Sequence, residues 1–377
     1  MTRPARAFLD ARALKHNLER ARQSAPGARI MAVVKANAYG HGLKWVAHTL
    51  SEAVDAFGVS CAEEGIVLRE AGIEHPICLF EGFFGADELP LLAHYRLQPA
   101  IHHEHQLQIL EATTGLPPLP VWLKVDTGMH RLGFSPDEVP ETLVRLKTCP
   151  AVSEVRLMSH LANADNKFDG TTQDQIDRFL KLVDGLGLEK SIANSAGILA
   201  WPAGHLDWVR PGIMLYGASP LMGFRADELD LRPVMTLATE LISISVRRKG
   251  EAVGYGGDWR CPETMPVGVA AIGYGDGYPR HAPPATPVLL NGRRVPLIGR
   301  VSMDMITLDL RTQPQARIGD PVVLWGPGLP VEEVAGGAGT IGYELLCHVA
   351  KRIPRIELVD EGAPAAAHAA DPAAQRR

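Results

Sequence analysis

From residue 30 to about 216 the chain alternates short apolar, β-branched runs with longer amphipathic stretches. The runs predict strands at 30–35, 56–60, 76–80, 97–101, 120–126, 152–160, 190–195 and 207–215. The amphipathic stretches predict helices that include 13–23, 43–52, 62–71, 104–113, 137–147 and 173–186. Parallel strands need crossover helices. About eight such units suit a closed (β/α)8 TIM barrel, with an open doubly wound sheet as the alternative. Near Pro233 the pattern changes. Short strands with Gly and Pro between them follow: Thr236–Val246, Val267–Ile272, Pro287–Leu290, Val295–Val301, Met305–Leu310 and Pro321–Leu324. The fold class expected is therefore α/β, an N-terminal (β/α)8 barrel over 1–233 and a C-terminal mainly-β domain over 234–360. A short helical piece is expected near 342–351. Residues 361–377, rich in Ala and Pro, predict a disordered tail.

Composition narrows the function classes. Acidic residues exceed basic ones by 43 to 38, and no Lys/Arg run stands out. That argues against nucleic acid or an anionic membrane as partner. The N-terminus carries no apolar h-region, so no signal peptide is expected, and no apolar run is long enough for a membrane span. Five scattered cysteines without a Cys-x-x-Cys pair predict a reduced, cytoplasmic protein with no metal.

Catalytic groups of such barrels sit at the C-terminal ends of the strands. The first strand ends in Lys35. Burial near a barrel mouth would lower a lysine pKa, and a neutral amine can attack an aldehyde to make a Schiff base. The plain alternative is a lysine snorkelling from a strand end. Tyr39, Ser195 and the backbone N–H groups of Gly212 and Ile213 could converge on one phosphate, since glycine permits close approach and peptide N–H groups bind anions. Singly these read as a packed aromatic, a turn residue and a bend. His160 and Arg210 also end strands, where a lone His or Arg is ordinarily structural.

The run Ala32-Val-Val-Lys-Ala-Asn-Ala-Tyr-Gly-His-Gly42 closely resembles the pyridoxal-phosphate (PLP) attachment motif of alanine racemases. The resemblance runs from about residue 5 to 359. It includes Lys124–Arg131, Ser159–Asp165, Ala193–Ala196, Val209–Gly217, Val253–Gly256, Ala271–Tyr278, Gly299–Asp304 and Thr340–Glu344. Departures are few: Ser302 stands where many members carry Cys, and Pro211 follows Arg210. The resemblance implies PLP on Lys35, which would be one base, and Tyr255 from a partner subunit as the other. His160 and Arg210 would form a relay, with Arg210 at the pyridine nitrogen. Arginine there only donates, so the ring nitrogen should stay unprotonated. Arg131 would approach the cofactor's phenolic oxygen and the substrate carboxylate. Lys124 matches a lysine carbamylated in many members, the added carboxylate holding Arg131. Tyr39, Ser195, Gly212, Ile213 and Tyr343 would hold the phosphate. Met303 and Asp304 would frame the substrate, and Tyr274 would narrow its access. A homodimer with shared active sites is implied, interconverting L- and D-alanine for peptidoglycan supply or alanine catabolism.

Other protein classes share parts of this pattern. An amino-acid decarboxylase of similar architecture would share Lys35 and PLP but not the Arg210 and Tyr255 pair. A broad-specificity racemase would be expected to carry an export signal. A bare-barrel PLP-binding protein would lack the residues after 235. Gly273-x-Gly275-x-Gly277 as a nucleotide loop is disfavoured, because no helix is expected after it.

Overall fold

A computed structural model describes residues 3–358, so the tail expected at 361–377 lies outside the described residues. The chain divides into two units. One comprises Lys15–Leu215 with Ser219–Phe224. The other takes the residues up to Leu14, Tyr216–Ala218 and the chain from Arg225 on.

The chain opens with β1 (Arg6–Leu9), then runs through β2 (Arg29–Val33), β3 (Ala56–Val59), β4 (Ile77–Leu79), β5 (Leu97–Ile101), β6 (Leu119–Lys124), β7 (Val152–Met158), β8 (Lys190–Ser191) and β9 (Trp208–Val209). Strands β2 to β9 close into the expected barrel, each pair parallel. The open-sheet alternative is excluded by the β2–β9 pairing. Helices follow the amphipathic stretches. Thr171–Val183, for example, buries Thr172, Gln175, Ile176, Phe179 and Val183 along one stripe.

Two strands are much shorter than their apolar runs predict. β8 stops at Ser191, and the Asn194 side chain accepts the Gly197 N–H at 2.9 Å, so Ser195 starts a helix instead. β9 stops at Val209, before Pro211 and Gly212, and a 3-10 turn covers Ile213–Tyr216.

Strand parity orders the barrel interior. Met31, Ala56, Cys78, Ala100, Trp122, Met158 and Trp208 form one buried cluster, one residue from each of seven strands. Below it, Arg29 lies 4.2 Å over the Trp208 ring and Arg156 lies 5.5 Å over Trp122. Glu189 accepts from Arg156 and from the Trp208 indole, each at 2.9 Å. This polar floor carries the stabilising role expected at the N-terminal face.

The second unit contains β10 (Met235–Arg247), β11 (Ala252–Val253), β12 (Trp259–Arg260), β13 (Met265–Ala270), β14 (Pro287–Leu290), β15 (Arg293–Ile298), β16 (Ile306–Asp309), β17 (Pro321–Trp325) and β18 (Arg355–Glu357). β11 and β12 form a separate two-stranded ribbon. Long β10 pairs with β17 along its first half and with β13 along its second, so β13-β16-β15-β14-β17-β10 close on themselves. A helix follows at Gly342–His348. One correction concerns the segment 1–233 assigned to the barrel. β1 lies instead between β10 and β18 in the second unit's sheet. Four residues of alternating burial mark a strand but carry no signal of which sheet it joins.

Candidate active site

Two residues beyond the buried cluster, alternation brings the next inward positions to the barrel mouth. These are Val33, Gly58, Phe80, His102, Lys124, His160 and Arg210, with Lys35 one step above Val33. The parity is visible in Phe80, which packs on the buried cluster and whose ring occupies the space of a Cβ on Gly58.

Lys35 stands at the start of an unusual turn. Ala36, Asn37, Ala38 and Tyr39 have φ of 53, 54, 54 and 50°. Each left-handed L-residue costs roughly 1–2 kcal/mol, so other groups must hold the turn. The Asn37 carbonyl oxygen of the side chain accepts the Leu43 N–H at 2.9 Å. Glu64 accepts the Asn37 N–H at 3.3 Å and the Ser60 N–H at 3.0 Å, tying the turn to the loop after β3. The buried His41 ring bonds the carbonyls of Ala38 and Tyr39 at 3.1 and 2.8 Å. The result aims the Tyr39 hydroxyl at Gly212. A Cβ on Gly212 would lie 2.7 Å from it. The Gly212 N–H donates to Ser195 Oγ at 2.8 Å, and the Met214 N–H does so at 3.3 Å. Tyr39, Ser195 and Gly212 thus meet, with buried Ile213 next in the chain.

Arg210 is buried and donates to Ser191 Oγ at 2.5 Å, Ser159 O at 2.5 Å and Ile192 O at 3.2 Å. It faces His160 Nδ1 at 3.4 Å. Burial draws the guanidinium down to about 10. Burial, and then the charges of Arg210, Lys124, Arg131 and Lys35, hold the His160 imidazole well below its ordinary value, and hence neutral. Lys124 is 8 % exposed. Burial first, then Arg210, Arg131 and Lys35, pull its amine down to about 8. Arg131 rides on an exposed loop that Asp126 shapes by accepting the N–H groups of Gly128 and His130 at 2.9 and 3.0 Å. Gly133 (φ 130°) lets this loop fold back, since a Cβ there would lie 2.7 Å from the Asp126 nitrogen.

Gln175, absent from the sequence-derived set, ties these loops together from the helix Thr171–Val183. It accepts the Ala162 N–H at 2.8 Å and donates to His160 O at 3.1 Å. Arg178, one turn on, donates to Thr127 O at 2.6 Å. Thr127 in turn bonds Ser159 at 2.7 Å. His102 and Glu64 were also missed. Nothing local singled out Glu64 or Gln175.

The other five expected residues lie on the second unit. Tyr255 is 67 % exposed on a Gly-rich turn beside Arg300. Tyr274 and Met303 are exposed on adjoining loops, joined by Tyr274 N–H to Ser302 O at 3.0 Å and Gly275 N–H to Met303 O at 2.8 Å. Buried Asp276 pairs with Arg352 at 2.8 Å and Arg3 at 2.5 Å, and Arg352 also pairs with Asp304 at 2.6 Å. Tyr343 is on the helix Gly342–His348. Among the described residues no His, Cys, Asp and Glu group could hold a metal ion, and no helix is long and apolar enough to cross a membrane.

A closed barrel with such a concentration of basic groups at the C-terminal ends of its strands, in a chain that adds a mainly-β unit, has the architecture of a two-unit enzyme. Family models for the alanine racemase N-terminal and C-terminal domains match residues 9–220 and 234–357. The alanine racemase of Nitrosococcus oceani is 56 % identical over 93 % of this chain and 98 % of its own. That of Vibrio cholerae is 50 % identical over 93 % and 97 %. The crystal structure of the biosynthetic alanine racemase from Pseudomonas aeruginosa superposes with a TM-score of 0.93 at 47 % identity, covering 95 % of this chain and all of that one. The alanine racemase structure from Acinetobacter baumannii gives 0.87 at 40 %, covering 95 % of this chain and all of that one. The chain belongs to the alanine racemase family of isomerases.

Proposed function

We propose that this enzyme interconverts L- and D-alanine with PLP as cofactor and two bases on opposite faces of the substrate. The observation that carries the reading is the mouth itself: a cradle of Tyr39, Ser195 and Gly212 next to buried Arg210 and its neighbour His160, with Lys35 above them. The cradle fits a phosphate, because its space is what a Cβ on Gly212 would fill. Clustered cations fit an anionic cofactor, since buried charges need partners.

When bound, PLP supplies an electron sink for the carbanion at Cα. The chain's own groups do the rest. Lys35 anchors the cofactor and moves the proton on one face. Tyr255, brought by a second copy, moves it on the other. Tyr39, Ser195, Gly212, Ile213 and Tyr343 hold the phosphate. Arg210 donates toward the pyridine nitrogen, with His160 neutral behind it. Arg131 orients the substrate carboxylate, and Lys124, carbamylated, holds Arg131. Met303 and Asp304 frame the substrate while Tyr274 narrows its access. Support for a homodimer comes from the second unit's exposed Tyr255, Tyr274, Met303, Met305, Ile341 and Tyr343, mostly aromatic and Met side chains of the kind enriched where two chains meet. Five free cysteines support a cytoplasmic setting.

The test is incubation of the purified protein and PLP with each alanine enantiomer, followed by chiral chromatography. Each should yield the other. Carbon dioxide release, or an unchanged enantiomer, would reject the reading.

A further inference from the structure

His102 directly follows β5, beside Lys124 at the end of β6. The register Ala100↔Trp122 and Ile101↔Leu123 sets the two residues level. Ala100 and Trp122 both belong to the inward cluster, so two residues on, His102 and Lys124 both turn into the mouth. One ring nitrogen of His102 is committed: Nε2–H donates to Glu81 O at 3.1 Å. In the neutral ring this leaves Nδ1 with its lone pair. Nδ1 is buried, and no described residue hydrogen-bonds it. A buried acceptor without a partner calls for an explanation.

We propose that His102 Nδ1 is the base, and then the ion-pair partner, for carbamylation of Lys124 by dissolved carbon dioxide. The inference rests on the reading that Lys124 is carbamylated and adds the residue that installs and holds the group. The step balances within the mouth. The Lys124 amine lone pair forms a bond to the carbon of carbon dioxide, and one C=O electron pair moves onto oxygen. The N–H proton passes to Nδ1. The products are a carbamate anion and an imidazolium whose Nε2–H keeps its bond to Glu81 O. Reversal returns the proton and releases carbon dioxide.

The surroundings suit both ends of this step. Burial and the neighbouring charges of Arg210, Arg131 and Lys35 favour the neutral, nucleophilic amine of Lys124. Burial, with Lys124 and His103 nearby, likewise favours the neutral ring of His102. After the step, the carbamate converts that cationic environment from a cost to a partner for the new imidazolium and for Arg131.

The experiment uses the full chain with PLP and 13C-labelled bicarbonate at fixed pH. A carbamate carbonyl resonance, assigned by its loss in Lys124→Ala, reads the modification directly. His102→Gln keeps a donor for Glu81 O and removes the base, which separates chemistry from support of the loop. His102→Gln should raise the half-saturating bicarbonate concentration about ten-fold, the weight of one hydrogen bond to a charge. It should also slow the signal's appearance after a bicarbonate jump, with thermal unfolding unchanged. The same concentration and rate in His102→Gln as in the wild type would overturn the role of His102 and leave the Lys124 reading intact. No Lys124-dependent resonance in the wild type would overturn both.

Discussion

Consider Gly212→Ala. Gly212 is outside the left-handed region, so its backbone accepts an alanine without strain. The cost is contact: the new Cβ would lie 2.7 Å from the Tyr39 hydroxyl and 3.4 Å from its Cζ. A separation below 3.0 Å forces movement. The Tyr39 backbone stays put, because its own φ is 50° and the turn beneath it is held by Asn37, Glu64 and His41, so the side chain gives way by rotation. The hydroxyl must swing away from the cradle. If it bonds the PLP phosphate, one hydrogen bond to a charged group is lost, about 1.5–3 kcal/mol. That corresponds to roughly ten- to hundred-fold weaker PLP binding. Titration of cofactor-free protein with PLP, followed by absorbance, measures it, and urea unfolding without cofactor should show little change. Tyr39→Phe should lose a similar amount. In that background Gly212→Ala should add less than about two-fold, because the atom it displaces is gone. Wild-type affinity in Gly212→Ala, or two losses that simply add, would refute this account of the cradle.

Further outcomes follow from other parts of the site. Lys35→Ala should abolish both the cofactor's protein-bound absorbance and racemisation, whereas Tyr255→Phe should retain bound PLP and cut turnover by at least about a hundred-fold; wild-type turnover in Tyr255→Phe would end its role as a base. Gln175→Leu strands the Ala162 N–H and the His160 carbonyl; a loss of about 2–4 kcal/mol in urea unfolding is expected, and a loss near zero would show that the two loops need no tie. Unmodified Lys124 titrates at about 8 in the folded chain and near 10.4 unfolded, so between those values the unfolded chain binds more protons and stability rises with pH. The burial penalty is full below about pH 8 and relieved by about pH 10.5, so bicarbonate-free, cofactor-free wild type should gain about 3 kcal/mol relative to Lys124→Met across that window; parallel curves would refute the shift.

The sequence made the barrel legible because its strands are buried on both faces and read as apolar runs between amphipathic helices. Ile30–Val34 and Val121–Val125 show this plainly. The same property hid their ends. Uniform burial gives no phase, so nothing marked Ile192 and Ala193 as loop rather than strand, and inward and outward residues could not be told apart. His102 passed unnoticed for that reason. The left-handed turn at 36–39 was invisible too, since Ala-Asn-Ala-Tyr carries no glycine and its conformation is imposed by Glu64 and His41 from outside. Motifs, by contrast, marked Lys35, His160, Ser195 and Arg210 well, and those residues do gather at one mouth. Tyr255, Tyr274, Met303, Asp304 and Tyr343 matched equally well in sequence but stand on the surface of the other unit. In the function proposed above, it is a second copy of the chain that brings such residues to the mouth.

The placement of β1 has a consequence for how the polypeptide is made. Its antiparallel partner begins at Met235 and its parallel neighbour only at Arg355. On a ribosome adding roughly 5–20 residues each second, Arg6–Leu9 would emerge about 10–45 s before β10 does. Through that interval a short apolar strand waits with both edges open, a hazard for association with other nascent chains. Its brevity, and the charges of Arg3 and Arg6 beside it, are the protections it carries. Synthesis order and sheet order therefore run against each other, and the last strand to leave the ribosome is the one that lies against the first.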